Sequence, residues 1–289
     1  KLTVPIGTND ELECLLREAL VHDVQVEVAS NPEFLAQGTA VRDTLQAARI
    51  VIGTESREAK AKMLEIYKPF NLPNDFLALK ISYMNDIANL CELVGANVQD
   101  VARGMSYDAR IGDKFLNAGI GYGGSCFPKD TKALEFLARR FGYELKTVKA
   151  AIEVNSRQKL TLYRKAVQRL TCFDGLKVAV LGLTFKAGTD DLREAPSIDN
   201  VELLLGQGAD ICAYDPVGTG NFRKMYPEGR HGCGSIAYAK SPQEALQGAN
   251  LCFIFTEWQE IKAVTPDAYK IYPLQAMKDA GVEYYSIGR

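Results

Sequence analysis

The part of the sequence best suited to chemistry is a glycine-rich turn that carries a cysteine, GYGGSCFPKD at positions 121–130. Glycines let a backbone approach a ligand closely, and Pro128 suits a first helical turn because its missing N–H needs no partner there. Cys126 is therefore expected near the positive end of a helix dipole, with Lys129 close by, and both favour the nucleophilic thiolate. Asp130 could act as an acid or base or orient a water. The alternative is a cysteine buried as a small apolar residue; the glycines, Lys129 and Asp130 together favour chemistry.

Length and composition limit the class of protein. With 289 residues the chain is long enough for two or three structural units, and 47% hydrophobic with 24% charged residues is ordinary for a globular protein. A net charge of −2 gives no reason to expect nucleic acid or an anionic membrane as partner. No apolar run is long enough to span a bilayer, no signal peptide opens the chain, and the seven cysteines show no CxxC spacing. We therefore expect reduced thiols, no metal site and a cytoplasmic location.

The N-terminal part alternates between strand and helix patterns, which predicts a doubly wound parallel sheet. Thr8 and Glu11 have capping-box spacing, so Thr8 is expected to cap an amphipathic helix that runs to about Val21. Further strands are predicted at 2–6, 24–29 and 49–52, and a second helix at 56–67.

The middle of the chain reads as helical and the C-terminal part as a second Rossmann-like unit. A wide apolar face at 76–94 predicts a helix buried on more than one side, ending at Gly95. Further helices are expected at 131–140, 147–170 and 197–207, and strands at 177–183, 210–214 and 251–255. Because ligands of such sheets bind beyond the carboxyl ends of the strands, Phe185, Lys186 and Arg193 are expected near a ligand.

Several long segments resemble the UDP-glucose/GDP-mannose dehydrogenase family. They are the block 108–130, SNPEFL at 30–35, KISYMN at 80–85, GLTFK at 182–186, DDLRE at 190–194 and YSIGR at 285–289. The resemblance covers nearly the whole chain. It implies an α/β fold in which two Rossmann-like parallel-sheet domains, the first incomplete, are joined by a central helical domain. The domains would be an NAD-binding remainder at 1–73, a helical dimerisation domain at 74–172 and a UDP-sugar-binding domain at 173–289.

The resemblance implies an oxidoreductase of nucleotide-sugar metabolism that oxidises UDP-glucose to UDP-glucuronate with NAD, in two steps. In this reaction Cys126 would carry a thiohemiacetal and then a thioester, which splits a hard step into easier ones. Asp130 and Thr3 match residues that position water, and Glu33 matches an acid/base glutamate. Asn74 matches an asparagine that stabilises oxyanions, a task that suits a fixed amide donor.

Binding residues are implied by the same resemblance. Those matching sugar-nucleotide contacts are Phe34, Leu35, Phe115, Leu116, Gly121, Tyr122, Gly123, Phe185 and Lys186, with Arg110 reaching the pyrophosphate from a neighbouring subunit. Those matching cofactor contacts are Thr3, Gln37, Lys129 and Arg193. For Arg110, Lys129 and Arg193 the alternative interpretation is that each only forms an ion pair at the surface. A homodimer or larger homo-oligomer is implied, with no nucleic acid and no membrane as partner.

The chain departs from the family pattern in four places. No G-x-G-x-x-G stands in the N-terminal part, so the chain is expected to begin within the first domain. Phe70 stands where the family has a catalytic lysine, and Lys270 runs directly into Ile271 where the family has an arginine. Gln37 replaces a frequent glutamate. We expect the missing segments to be present in the working protein.

These departures leave other functions open. The chain could be a related dehydrogenase for GDP-mannose or UDP-N-acetylmannosamine, or a sugar-nucleotide-binding protein without activity. A redox-sensing thiol protein is a further alternative, against which cysteines 14, 91, 172, 212 and 252 are expected to lie mostly in apolar, inert settings.

Overall fold

The computed structural model describes residues 7–22, 24, 26–31, 52–67, 77–264 and 281–288. Contacts between residues divide the chain into two compact units. The first comprises Lys1–Phe76 with Lys132–Glu144, and the second Leu77–Thr131 with Leu145–Arg289. The three domain boundaries drawn from the sequence stay a prediction.

The first unit contains two complete described helices, α1 at Thr8–Ala19 and α2 at Arg57–Tyr67, and from Lys132 onward the end of a helix that begins in the second unit. The expectation that Thr8 caps α1 is wrong, because Gly7 stands at the cap with φ 92° and Thr8 is already helical. That left-handed conformation is open to glycine and strained for threonine. Ser56 caps α2, since its hydroxyl accepts a hydrogen bond from the backbone N–H of Ala59 at 3.1 Å.

Strand pairing in the described part of this unit is limited to one isolated antiparallel bridge between Ser30 and Gly53. The strand expected at 24–29 is not formed at Val24 or at 26–29, which have no ladder partner within the described residues. The strand expected at 2–6, and residues 49–51 of the next, lie outside them. The parallel sheet expected in the N-terminal part therefore stays a prediction.

Five helices precede the sheet of the second unit. They are α3 at Leu77–Val94, α4 at Val98–Ser106, α5 at Cys126–Arg140, α6 at Lys146–Gln158 and α7 at Thr161–Arg169. Helix α3 ends as expected at Gly95, whose φ is 72°. Two predictions need correction: α5 begins at Cys126 instead of 131, and the single helix expected at 147–170 is two helices that meet at Lys159 and Leu160.

Helices α3 and α6 pack against each other, and the buried hydroxyl of Ser82 donates to the carbonyl of Ala151 at 2.9 Å. The inner face of α3 contributes to a small apolar core made of Met84, Ala88, Cys91, Val98 and Leu116. Burial on more than one side is not observed in the single chain, because large apolar side chains on the other face are exposed: Tyr83, Leu90, Leu93 and Val94.

The sheet of the second unit has five strands in the order β3-β4-β2-β1-β5. They are β1 at Lys177–Leu181, β2 at Asp210–Tyr214, β3 at Gly229–His231, β4 at Gly234–Tyr238 and β5 at Leu251–Ile254. All neighbours pair in parallel except β3 and β4, an antiparallel hairpin that the sequence reading missed. The Rossmann-like C-terminal unit is therefore confirmed.

Helices connect and cover these strands: α8 at Pro196–Gly206, α9 at Thr219–Met225, α10 at Pro242–Leu246 and α11 at Gln259–Lys262. Strand β1 lies between β2 and β5 and is fully buried from Val178 to Leu181, which explains its continuous apolar run. It ends earlier than position 183 because Gly182 turns away with φ 81°. A Cβ on Gly182 would lie 2.6 Å from Thr256, so only glycine fits.

The last described segment, 281–288, packs against the helices of the same unit. The Gly288 carbonyl accepts from Val98 N–H at 3.0 Å, and the Gly288 N–H donates to the Glu92 carboxylate at 2.7 Å. Lys165 also links this segment to α3, because its Nζ lies 2.7 Å from the Glu92 carboxylate and 2.6 Å from the Ser286 carbonyl oxygen.

Candidate active site

Cys126 is the first residue of α5, and its side chain is partly exposed. Its sulfur lies 3.8 Å from the hydroxyl of Ser125. The backbone N–H groups of a first helical turn carry partial positive charge, which favours an anion at this position. Asp130 follows one helical turn later on the same helix, the spacing at which side chains are neighbours. Lys129 lies 3.6 Å from the Asp130 carboxylate in an exposed pair.

The glycines before Cys126 are packed against the protein's own chain. A Cβ on Gly123 would stand 2.5 Å from the carbonyl oxygen of Glu194, and one on Gly124 would stand 2.8 Å from the Phe185 ring. The Gly124 N–H donates to the Arg193 carbonyl at 2.7 Å. The close approach expected from these glycines is therefore an approach to the loop between β1 and α8.

That loop carries Phe185, Lys186 and Arg193 at the carboxyl end of β1, the edge expected from the sequence. The ammonium of Lys186 lies 5.5 Å from the centre of the Phe185 ring. The Arg193 guanidinium grips the buried carboxylate of Asp191 through two bonds of 2.9 and 3.0 Å. This hydrogen bond raises the pKa of Arg193, and the negative charge of Asp191 adds to the effect.

Three side-chain amides that the sequence reading missed hold the backbone just before the glycine turn. They are Asn85 on α3 and Asn155 and Gln158 on α6, and they bond to Gly119 and Tyr122 at 2.7 to 3.0 Å. Beside them the ammonium of Lys159, only 8% exposed, lies 2.7 Å from Glu194, which has a φ of 55°. The sequence signal that could have found these three residues is that each is a polar amide on a helix face whose other residues point into the core.

Residues implied in substrate binding differ in exposure. Tyr122 is buried with its ring edge-on to Phe127 at 5.6 Å, and the ring of Phe115, which is partly exposed, lies 6.4 Å from Phe127. The Leu116 side chain is in the helical core. Arg110 is exposed and paired with Asp108 at 2.6 Å, and this hydrogen bond lowers the pKa of Asp108.

A buried carboxylate that the sequence reading did not single out joins the carboxyl ends of three strands. Asp215, just after β2, accepts hydrogen bonds from the Leu183 N–H at 2.7 Å and the Trp258 indole at 2.9 Å, beyond β1 and β5 respectively. It also accepts from the N–H groups of Thr184, Val217 and Gly218, and from the Thr184 hydroxyl. This arrangement fixes the start of the loop that leads to Phe185.

The remaining implied site residues lie outside the described residues: Thr3, Glu33, Phe34, Leu35, Gln37 and Asn74. The same holds for Phe70, Pro73, Lys270 and Ile271, so the expected gaps are not tested by geometry. All seven cysteines are described and none forms a disulfide. The expectation of apolar settings is wrong for Cys14 and Cys172, which are exposed, whereas burial raises the pKa of the Cys212 thiol and raises that of Cys252 to about 12, as expected of inert cysteines. Within the described ranges no helix is both long and apolar enough to cross a membrane. The cytoplasmic location stays a prediction.

Family models match the chain almost from end to end. The NAD binding domain of the UDP-glucose/GDP-mannose dehydrogenase family matches residues 1–71, its central domain 65–157 and its UDP binding domain 179–278. Among solved structures, a UDP-glucose dehydrogenase from the archaeon Pyrobaculum islandicum superposes with a TM-score of 0.82 at 33% identity. That match covers 91% of this chain and 63% of the archaeal one.

Curated relatives give the same result. UDP-glucose 6-dehydrogenase YwqF of Bacillus subtilis is 42% identical over 318 residues, which is 100% of this chain and 71% of the relative. UDP-glucose 6-dehydrogenase of Rhizobium meliloti is 42% identical over 324 residues, 100% of this chain and 72% of the relative. Both alignments are longer than the 289 residues of this chain, which therefore has gaps relative to both proteins. The chain belongs to the UDP-glucose/GDP-mannose dehydrogenase family, whose cofactor is NAD.

Proposed function

We propose that the protein is a UDP-glucose 6-dehydrogenase, which oxidises the C6 alcohol of UDP-glucose to the carboxylate of UDP-glucuronate. The observation that carries the proposal is the placement of Cys126. Its partly exposed side chain stands at the first residue of a helix, one turn from Asp130, and the Gly124 N–H just before it donates to the Arg193 carbonyl at 2.7 Å. Relatives with this activity in their names are up to 42% identical over the whole chain, which supports the choice of substrate.

NAD, when bound, accepts a hydride in each of the two oxidation steps. The residues of the chain do the rest. The Cys126 thiolate adds to the C6 aldehyde and forms a carbon–sulfur bond, so the reactive aldehyde stays on the protein. After the second oxidation a water attacks the thioester carbon, the carbon–sulfur bond breaks, and the acid leaves while Cys126 departs as the thiolate. Asp130 is placed one turn away to orient that water and take its proton.

Exposed cations near Cys126 fit the phosphate groups of both ligands. The side chains of Lys129 and Arg193 are 50% and 59% exposed, so their charged heads can meet the pyrophosphate of NAD while their stems stay packed. Lys186 stands at the carboxyl edge of the C-terminal sheet, beside the Phe185 ring, where an aromatic face and a cation suit a nucleoside diphosphate.

The test is the yield of NADH from UDP-glucose. The intact protein is expected to form two NADH for each UDP-glucuronate. Cys126→Ser is expected to lose the second oxidation and at least 100-fold in overall rate, because a hydroxyl is a far weaker nucleophile here. Cys233→Ser removes an exposed thiol on the β3–β4 turn and should leave both quantities unchanged.

Three results would overturn the assignment. Turnover of UDP-N-acetylmannosamine or GDP-mannose without turnover of UDP-glucose would move the protein to a related activity. Binding of UDP-glucose without NADH formation would make it a sugar-nucleotide-binding protein, the reading that Phe70 in place of a lysine supports. Full double oxidation by Cys126→Ser would remove the covalent mechanism.

We infer in addition that two copies associate through α3. The exposed side chains of Tyr83, Leu90, Leu93 and Val94 form an apolar face on a helix whose other face is fully buried. Sedimentation of the intact chain should give a homodimer or a multiple of it, and Leu93→Asp should shift it to the monomer. A monomeric parent protein would contradict this inference.

A further inference from the structure

The backbone from Gly119 to Tyr122 is paired with side chains instead of another strand. Asn85 Oδ1 accepts from the Gly119 N–H at 2.8 Å, and Gln158 Nε2 donates to the Gly119 carbonyl at 2.7 Å. Asn155 Oδ1 accepts from the Tyr122 N–H at 2.7 Å, and its Nδ2 donates to the Tyr122 carbonyl at 3.0 Å. Asn85, Asn155 and Gln158 are called the amide clamp below.

The amide clamp is buried and leaves little freedom to the loop. Asn85, Asn155 and Gln158 are 0%, 6% and 1% exposed, so each bond is made away from water and would be costly to leave unmade. A Cβ on Gly121, whose φ is 94°, would stand 2.9 Å from Asn155 Oδ1. Glycine at 121 is thus required by the clamp itself, whatever ligand the loop meets.

The clamp connects to the start of α5 through Tyr122, and Gly124 is held separately. The Tyr122 ring packs edge-on against Phe127, the residue after Cys126, with centroids 5.6 Å apart. Downstream, the Gly124 N–H is fixed to the Arg193 carbonyl at 2.7 Å. With Tyr122 held on one side and Gly124 on the other, the start of α5 has one well-defined place.

We propose that the amide clamp, and Asn155 above all, positions Cys126 for attack without touching substrate or cofactor. Asn155 is the central member because it alone pairs with both the donor and the acceptor of one residue, Tyr122. The proposal deepens the dehydrogenase function proposed above and rests on it for the kinetic part of its test. The labelling part needs no enzymatic activity.

The variants are made in the full chain. Asn155→Ala removes both bonds to Tyr122, and Asn155→Asp keeps the acceptor while losing the donor. Ser82→Ala is the matched control, because it deletes a buried hydrogen bond between the same two helices, α3 and α6, without reaching the loop. Asn155→Asp also serves if the alanine variant fails to fold.

The kinetic test separates positioning from binding. Asn155→Ala is expected to lower kcat at least 10-fold with KM for NAD within about threefold, because Lys129 and Arg193, which the family resemblance implies in cofactor binding, make no bond to the clamp. Asn155→Asp should lie between this variant and the parent protein, and Ser82→Ala should keep kcat within twofold. Unchanged kcat in Asn155→Ala, or an equal loss in Ser82→Ala, would overturn the proposal.

Labelling with iodoacetamide, read at each cysteine by mass spectrometry, separates loop motion from unfolding. Freed from the clamp, Cys126 should be alkylated at least fivefold faster, whereas the buried Cys91 of α3 should keep its rate. An equal rise at Cys91 would show general unfolding, and no rise at Cys126 would show that the clamp does not hold it; either result refutes the proposal. If no sugar nucleotide yields NADH, the proposed function fails, and the labelling ratio still decides whether the clamp positions Cys126.

Discussion

Two turns in the second unit are held by buried side chains, and they are held by opposite kinds of group. The turn before Cys126 is paired with three neutral amides, which together offer both donors and acceptors to Gly119 and Tyr122. The turn after β1 is held by the carboxylate of Asp215, which only accepts and gathers the N–H groups of Leu183 and Thr184. An extended segment needs both kinds of partner, whereas a strand end that presents N–H groups can be satisfied by one anion.

The difference predicts different failures. Losing one amide from the clamp frees a local segment while the helices around it keep their core. Losing Asp215 leaves donors from the ends of three strands without a partner inside the core, so the whole C-terminal sheet is affected. We therefore expect the first region to control reactivity and the second to control stability.

The largest expected effect is on Asp215. Asp215→Ala should lower the free energy of unfolding by about 4 kcal/mol, because hydrogen bonds to a charged acceptor are strong and each buried unpaired donor adds a penalty. Asp215→Asn should lose nearly as much, since its NH₂ would face N–H donors on one side. Urea unfolding followed by circular dichroism measures both. A loss below about 1 kcal/mol in either variant would show that Asp215 does not control the stability of the C-terminal sheet.

A smaller effect is expected where the two turns meet, at Gly123. Gly123→Ala would put a methyl group 2.5 Å from the Glu194 carbonyl oxygen, so one of the two backbones must shift. Overpacking of this kind costs about 1–3 kcal/mol of unfolding free energy. Because Cys126 lies three residues away, we expect the rise in the activation free energy for kcat to exceed this loss of unfolding free energy.

Gly119→Ala is the matched control in the same turn. A Cβ there would meet nothing within 4 Å among the described residues, so the change in unfolding free energy should stay within about 0.5 kcal/mol. Equal losses in the two alanine variants would mean that the turn tolerates no side chain anywhere. The comparison would then rest on loop flexibility instead of the specific contact with Glu194.

Part of this architecture could be read from the sequence because it follows local rules. The run of apolar residues at 178–181 is a strand buried on both faces, and Gly95 ends a helix where a left-handed residue is needed. One error is local and the other depends on a distant partner. Thr8 has the right spacing for a cap, but Gly7 takes that place, and the helix expected at 147–170 breaks where Lys159 turns toward Glu194.

The site shows the same division. Cys126 and its glycines are recognisable because turn chemistry and helix-start signals lie within ten residues of one another. Asn155 and Asp215 cannot be recognised in this way, because their hydrogen-bond partners are 33 and 32 residues away along the chain. The sequence around each of them does not distinguish a residue that holds a turn from an ordinary polar residue. The family resemblance predicted the reacting groups, but it did not predict the residues that hold those groups in position.

The smallest expected effect on stability concerns an exposed pair, Arg110 and Asp108. The hydrogen bond from Arg110 lowers the pKa of Asp108, so its stabilisation is present at neutral pH and is lost as the pH falls from about 4 through the folded pKa. Because the pair is exposed and screened, Arg110→Ala should shift the thermal midpoint at pH 7 by about 1 °C or less, and by nothing at pH 2. A raised KM for UDP-glucose in this variant, with the midpoint unchanged, would assign Arg110 to substrate binding in a neighbouring subunit. A large loss of stability would instead show that an exposed ion pair can hold a turn as firmly as the buried groups do, which contradicts the ranking from Asp215 downward.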